Sequence, residues 1–513
     1  MNETVINFQG IDNSPKKLKE EVVIGKDILD LITSSMYVNP LNVYREYVQN
    51  SIDAIDQAVD ENLTFENNPQ VSLKFDQANR SVKIQDNGIS IKGDEFLKRI
   101  ISIGGSHKRG KTLRGFRGVG RLSGLGYCQN LIFRGRSSKE EKIFEVVWDG
   151  KILKQKYRDQ TYNESLGGLV KDIVSTREFD DESYPGRFFE VELQKVARLK
   201  NDILLNEQII NNYLAQVAPV DFSEDFKFRK EINSYLDKYN LNQTIDISID
   251  DNTQVKKLHA NFIDYSKNVR DDISDVSFTE LKNNDGELLA VGWFLNHGYF
   301  GFIPKNNGIS GIRLRKGNIQ VGDYSIISDL FQESRFSGWV IGEIHILSEK
   351  IMPNGRRDNF EPSKALYDLQ NQISIYLNNF NKIIRSKSSI RNTNKIISSN
   401  LSLLDEIVNE DYLSTIPDNK LIRNVIAIQL NENIKEIENI SSSISDTFKE
   451  ETNENVNKKR SVLKLFKLEE ISEKNISQNE KLLLRILRSS GSLKDGIEAT
   501  KSIFEFMEFK NDH

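Results

Sequence analysis

The 513-residue chain is 38% apolar and 28% charged, with a formal net charge of −5. That length predicts two to four domains, and so mild a charge gives no global argument for a nucleic acid or an anionic membrane as partner. No run of about 18 apolar residues occurs, and a single cysteine, Cys128, excludes an internal disulfide and a multi-cysteine zinc site. The polar start MNETVINFQGIDNSPKK lacks the apolar core of a secretory signal, so a cytoplasmic location without a membrane span is expected.

A short apolar-periodic helix is predicted over 22–32, ended by Asn39-Pro40. Tyr44, Tyr47, Val48, Ile52, Ile55, Ala58 and Val59 then recur at three- and four-residue spacing and predict one amphipathic helix. Its other stripe stacks Glu46, Asn50, Asp53 and Gln57 along one line, either a solvated face or one wall of a site. Alternation at Val71, Leu73, Phe75, Val82 and Ile84 around a turn at 77–80 predicts a β-hairpin, which places Asp86 at a strand end before an Asn87-Gly88 turn. The segment GGSHKRGKTLRGFRGVGRLSGLG is glycine-dense and basic, and no acidic residue occurs between Phe96 and Lys139. Such a run needs an anion. Gly115, Gly118 and Gly120 can aim backbone N–H groups at it, and a helix expected from about Val119 would add its positive end, with phosphate the natural candidate.

Strands expected at 131–134, 143–147 and 188–193 close a mixed α/β unit near residue 200. A polar-helical connector over 201–240 leads to a second α/β region containing GYFGFIPKNNGISGIRLRKGNIQVGD, WVIGEIHIL and the loop SEKIMPNGRRDNFEPS. Beyond about residue 364 glycine nearly vanishes, and the remainder is expected to be all helix, with Leu430, Ile434, Ile437, Ile444 and Phe448 on one stripe.

A helix bearing Glu-x-x-x-Asn-x-x-Asp-Ala, a strand ending in Asp-x-Gly and a Gly-x-x-Gly-x-Gly occur in one order. Together they resemble the GHKL ATPase superfamily, which includes heat-shock protein 90, MutL, MORC, type II topoisomerase ATPases and histidine kinases, over about residues 20–195 and more thinly over 280–365. The resemblance implies a Bergerat-type α/β sandwich ATP-binding domain over 1–200, a helical connector over 201–240, a transducer-like α/β domain over 241–364 and a helical C-terminal region over 365–513. It implies Glu46 as general base for the attacking water, Asn50 as the Mg²⁺ holder, Asp53 lining the pocket, Asp86 as acceptor for the adenine amino group and Gly88 leaving room for the base. Ser106, Lys108, Gly115, Gly118, Val119 and Gly120 fall in the ATP lid, where His107 is more simply a surface residue. The transducer of such proteins sends a basic residue to the γ-phosphate; Arg357 fits best, then Arg356, then Lys316. Two positions depart from the pattern: Ser90 stands where a glycine is usual, and Arg187 follows Gly186 where the chaperone and MutL groups have threonine. The implied function is a homodimeric, Mg-dependent ATP-hydrolysing clamp on a protein client. A MORC- or MutL-like clamp on DNA and a non-hydrolysing ATP-sensing scaffold stay open as alternatives.

Overall fold

The computed structural model describes Leu29, Ser414, Ile416 and residues 39–103, 120–138, 140–407, 418–441, 446–465, 476–490 and 493–511. The helix expected over 22–32 and the segment 104–119 lie outside these, apart from Leu29. The chain divides into two compact units, 1–377 and 378–513, and the division falls within one long helix.

Helix α1 (Asn42–Asp60) follows Pro40, where Asn39 Oδ1 accepts from Leu41 N at 3.0 Å. Its end is closed by Asn62 in the left-handed region (φ 53°), with Leu63 N donating to Ala58 O and Asn62 N to Val59 O, which together satisfy the last carbonyls. Tyr44, Tyr47, Val48, Ile52, Ile55 and Ala58 are buried as the periodicity predicts, whereas Val59, in the final turn, is 52% exposed. The hairpin β1 (Gln70–Asp76) and β2 (Ser81–Asp86) is formed as expected.

Helix α2 (Gly93–Ile101) leads toward the basic segment, and a 3₁₀ helix, Gly120–Gly126, emerges from it where an α-helix was expected. Next come β3 (Asn130–Arg136), β4 (Ile143–Asp149), α3 (Gly150–Arg158), α4 (Leu166–Ile173), β5 (Val174–Phe179) and β6 (Phe188–Gln194). The connector region supplies α5 (Glu207–Val217) and α6 (Arg229–Asp237). Strands β7 (Asp246–Ile249) and β8 (Thr253–Gln254) return to the first sheet, past residue 240, with β7 parallel to β1. The sheet order is β5-β4-β3-β6-β2-β1-β7-β8. Val71, Leu73, Val82, Ile84, Phe133, Val191 and Leu193 turn one face toward α1 and share its core. On the other face Arg134 of β3 bridges Glu145 of β4 and Glu190 and Glu192 of β6 at 2.6–2.7 Å.

A hairpin, β9 (Phe262–Ser266) and β10 (Val269–Asp272), precedes the second sheet. That sheet contains β11 (Asp275–Lys282), β12 (Leu288–Asn296), β13 (Gly311–Lys316), β14 (Ile319–Val321) and β15 (Ile341–Ile346), in the order β11-β12-β15-β13-β14. Its interior is ionic. Glu343, fully buried, meets Lys257 and Arg315 at 2.7 Å and His345 at 3.3 Å. Burial and the Arg315 charge bring the Lys257 ammonium down to about 7 against the pull of Glu343. Arg315 also donates to Gln216 O and Ala218 O, tying the last turn of α5 to this sheet.

The second unit holds the end of α7 (Lys364–Ile407) with α8 (Lys420–Ser441), α9 (Asp446–Leu465), α10 (Gln478–Ser489) and α11 (Leu493–Asn511). It has its own apolar core, which includes Ile397, Val425, Leu430, Ile434, Ile437, Leu483, Leu487 and Ile497. A reciprocal Ser477–Glu480 cap starts α10. The expected stripe is met at Leu430, Ile434 and Ile437; the side chains of Ile444 and Phe448 lie outside the described set.

Candidate functional site

Helix α1 is buried on both sides, so its polar stripe is a wall and not a solvated face. Glu46 is 8% exposed and Asp53 1%, while Asn50 and Gln57 are half-buried. The 3₁₀ helix closes on this wall. A Cβ added at Gly120 would come within 2.2 Å of Glu46 Oε2, so any larger residue there would push the carboxylate aside. Tyr47 fastens the same turn to α1: its hydroxyl donates to Arg121 O at 3.0 Å and accepts from Gly124 N at 2.9 Å. Burial and the nearby Arg99 pull the Arg121 guanidinium below its ordinary range. Tyr213, bonded to Asn42 Oδ1 at 2.8 Å, is pushed up to about 12 by burial and so remains a neutral donor behind the helix.

The second sheet reaches α1 through the loop after β15. Pro353 and Phe360 pair across the loop, Arg357 N donates to Asn354 O at 3.1 Å, and Arg357 takes the left-handed region at φ 57°. Its carbonyl accepts from Gly322 N at 2.9 Å, and a Cβ on Gly322 would meet Asp358 O at 2.7 Å, so the loop is seated tightly on the end of β14. From there Arg357 Nη1 donates to Gln49 Oε1, and its Nε lies 3.9 Å from Glu46 Oε1. Arg45 holds the loop from the other side, donating to Arg356 O at 2.8 Å and Arg357 O at 3.4 Å while standing 3.6 Å from Glu46 Oε1. Arg356 is exposed, and Lys316 Nζ donates to Leu347 O and Ser348 O.

Asp86 ends the buried stripe Val82, Ile84 on β2 and is itself buried. Its Oδ1 accepts from Gly88 N at 2.9 Å. Gly88 packs on the helix backbone: a Cβ there would lie 2.6 Å from the Ala54 carbonyl carbon, and Ile89 N donates to Ala54 O at 3.0 Å. The glycine therefore serves sheet-to-helix contact. Arg187 turns to the outside of this turn, donating to Asn87 O at 3.1 and 3.3 Å and lying over the Phe65 ring.

The structure thus brings Glu46, Asn50, Asp53, Gly120 and Arg357 onto or against one helix, with Asp86 at the end of the strand beneath it and Gly88 in the turn that follows. Ser106, His107, Lys108, Gly115, Gly118 and Val119 lie outside the described residues. Among the described residues no cluster of three or more His, Cys, Asp or Glu side chains could cage a metal. Glu46 Oε1, Gln49 Nε2 and Arg45 Nε are buried without hydrogen-bond partners among the described residues. The two N–H donors suit anionic oxygens, and the Glu46 carboxylate, with the Asn50 amide one turn on, suits Mg²⁺ carried on a phosphate chain, because Mg²⁺ takes few protein oxygens and keeps water and phosphate oxygens. Sequence reasoning missed Arg45 and Gln49. The only local signal was their position beside Glu46 and Asn50.

Residues 38–173 match the family of histidine kinase-, DNA gyrase B- and HSP90-like ATPases. This part of the chain belongs to the GHKL superfamily. The chain is similar to chaperone protein HtpG of Clostridium acetobutylicum, 25% identical over 249 residues, covering 45% of this chain and 38% of the chaperone. HtpG of Helicobacter hepaticus is 26% identical over 142 residues, covering 24% and 23%, and HtpG of Rickettsia rickettsii 27% over 152 residues, covering 26% and 24%. The matched stretches span well under half the length of these curated relatives. No helix among the described residues is long and apolar enough to cross a membrane.

Proposed function

We propose that the chain is a Mg²⁺-dependent ATP hydrolase of the heat-shock-protein-90-like type, acting in the cytoplasm as a homodimeric clamp on a protein client. The observation that carries the reading is Arg357: it arrives on α1 from the second sheet, at Gln49 and within 3.9 Å of Glu46. In this reading Glu46 positions a water and takes its proton as the water oxygen attacks the γ-phosphorus, and ADP departs with the bridging oxygen. Arg357, held charged, clamps the γ-phosphate oxygens and so couples the loop's position to the state of the nucleotide. Asn50 holds the metal, whose charge offsets that of the phosphates, and Asp53 lines the wall behind it.

Asp86 accepts the adenine amino group. Guanine would present an oxygen there, and the buried carboxylate would be left facing it. Gly88 keeps Asp86 close to α1. Gly115, Gly118, Val119 and Gly120 cradle the phosphates with Ser106 and Lys108 of the lid. A protein client is favoured because the relatives are named chaperones. The test is turnover and ATP binding of Arg357→Ala beside the wild type. Loss of turnover with binding retained supports the coupling, whereas unchanged turnover removes Arg357 from the mechanism.

A further inference from the structure

Ser90 carries two local costs that nothing among the described residues offsets. Its backbone sits in the left-handed region at φ 60°, where an L side chain is disfavoured and glycine is not. Its hydroxyl is buried, the residue being 8% exposed, and Oγ has no hydrogen-bond partner among the described residues. A glycine would remove both costs. A serine that persists under them points to a task for the hydroxyl.

The sheet register says where that hydroxyl is. Asp86 on β2 pairs directly with Phe189 on β6, and Phe189 with Gly135 on β3. Residues directly opposite one another project to the same face, here the face covered by α1. A Cβ built on Gly135 would lie 2.8 Å from both Ser90 Oγ and the Phe96 ring, so the hydroxyl occupies that face above Gly135, beside Phe96. Asp86 and Ser90 Oγ therefore stand over the two outer strands of a three-strand set, about 10 Å apart at two strand spacings. The half-buried Phe189 lies between them. An acceptor, an aromatic floor and a hydroxyl in a row of this width suit a fused two-ring base.

We propose that Ser90 is a specificity residue of the nucleotide site: its hydroxyl bonds the side of a purine remote from the amino group held by Asp86. The inference rests on the reading of Asp86 as the base acceptor. A cytosine also offers an exocyclic amino group to Asp86, but it is one ring shorter and leaves Ser90 out of reach.

The test is the affinity of the full chain for ATP and for CTP, with Mg²⁺, by calorimetry on wild type, Ser90→Ala, Ser90→Gly and Asp86→Asn. Both Ser90 variants are expected to bind ATP roughly five- to twentyfold more weakly, the scale of one lost buried hydrogen bond, with CTP affinity within about twofold of wild type. Ser90→Gly is expected to melt higher than wild type while binding ATP less well, because glycine accepts the backbone that serine resists. This variant keeps the test open if Ser90→Ala folds poorly. An unchanged ATP affinity in Ser90→Gly overturns the proposal, as does an equal loss for ATP and CTP, which would make Ser90 a scaffold residue. An Asp86→Asn protein that still binds ATP normally would instead defeat the reading of the site on which this one rests.

Discussion

At Glu46 one carboxylate oxygen, Oε1, is buried with no hydrogen-bond partner among the described residues, and the other, Oε2, stands where a side chain on Gly120 would begin. Gly120→Ala should therefore displace the Glu46 carboxylate and slow ATP turnover by about tenfold or more, since a misplacement near 1 Å can cost a hundredfold, while the melting temperature changes little. Steady-state turnover and a thermal melt on the same preparation check both halves. Arg45 is a positioning residue of the same site. It reads two main-chain carbonyls of a loop 311 and 312 residues away, so Arg45→Met should free the loop, lowering the turnover rate about tenfold with ATP affinity within roughly threefold. A fall in affinity with unchanged turnover would contradict that role. The positions of Glu46 and Asn50 on one helix stripe and of Asp86 at a strand end were legible because the period of each element is local. Arg45 and Gln49 were not, because their partner is brought by the fold from the other end of the unit.

Between elements the ionic interior of the second sheet is the feature most open to measurement. Glu343 answers two cations and a histidine, all buried, so Glu343→Gln leaves Lys257 and Arg315 underpaired and should cost about 3–5 kcal/mol in denaturant unfolding. Lys257→Met removes a burdened cation while Arg315 still answers Glu343, and should cost less. The pH dependence has a definite sign. With Lys257 held near 7 in the fold and ordinary lysine near 10.5 when unfolded, the unfolded chain binds the extra proton between those values. Stability from this group therefore rises as pH climbs from about 7 toward 10.5 and is flat below, and Lys257→Met should erase that slope. Unfolding curves at several alkaline pH values on both proteins decide it. The hairpin, α1 and the strands near 131, 143 and 188 could be read from period alone. The return of β7 to the first sheet could not, because a four-residue strand paired in parallel to β1 has no local signature. The 3₁₀ turn after the basic segment also departed from expectation, its glycines being set by the contacts of Gly120 and Gly124 with Glu46 and Tyr47.

At the scale of the molecule, the second unit carries its own core of isoleucine, leucine and valine, so residues 378–513 made alone should remain helical and melt cooperatively. A broad, non-cooperative melt by circular dichroism would show that it leans on the rest of the chain. Its helical character was plain from composition, since glycine nearly disappears there; its client or partner was not, because no motif in it carries chemistry. The central claim is that α1 and the arginine loop together hydrolyse ATP. Its most direct test is ATP turnover and ATP binding on the wild type beside Glu46→Ala. The variant is predicted to bind ATP within about threefold of wild type and to lose turnover by roughly a hundredfold or more, the contribution of a positioned general base. Equal turnover in the two proteins would contradict the claim.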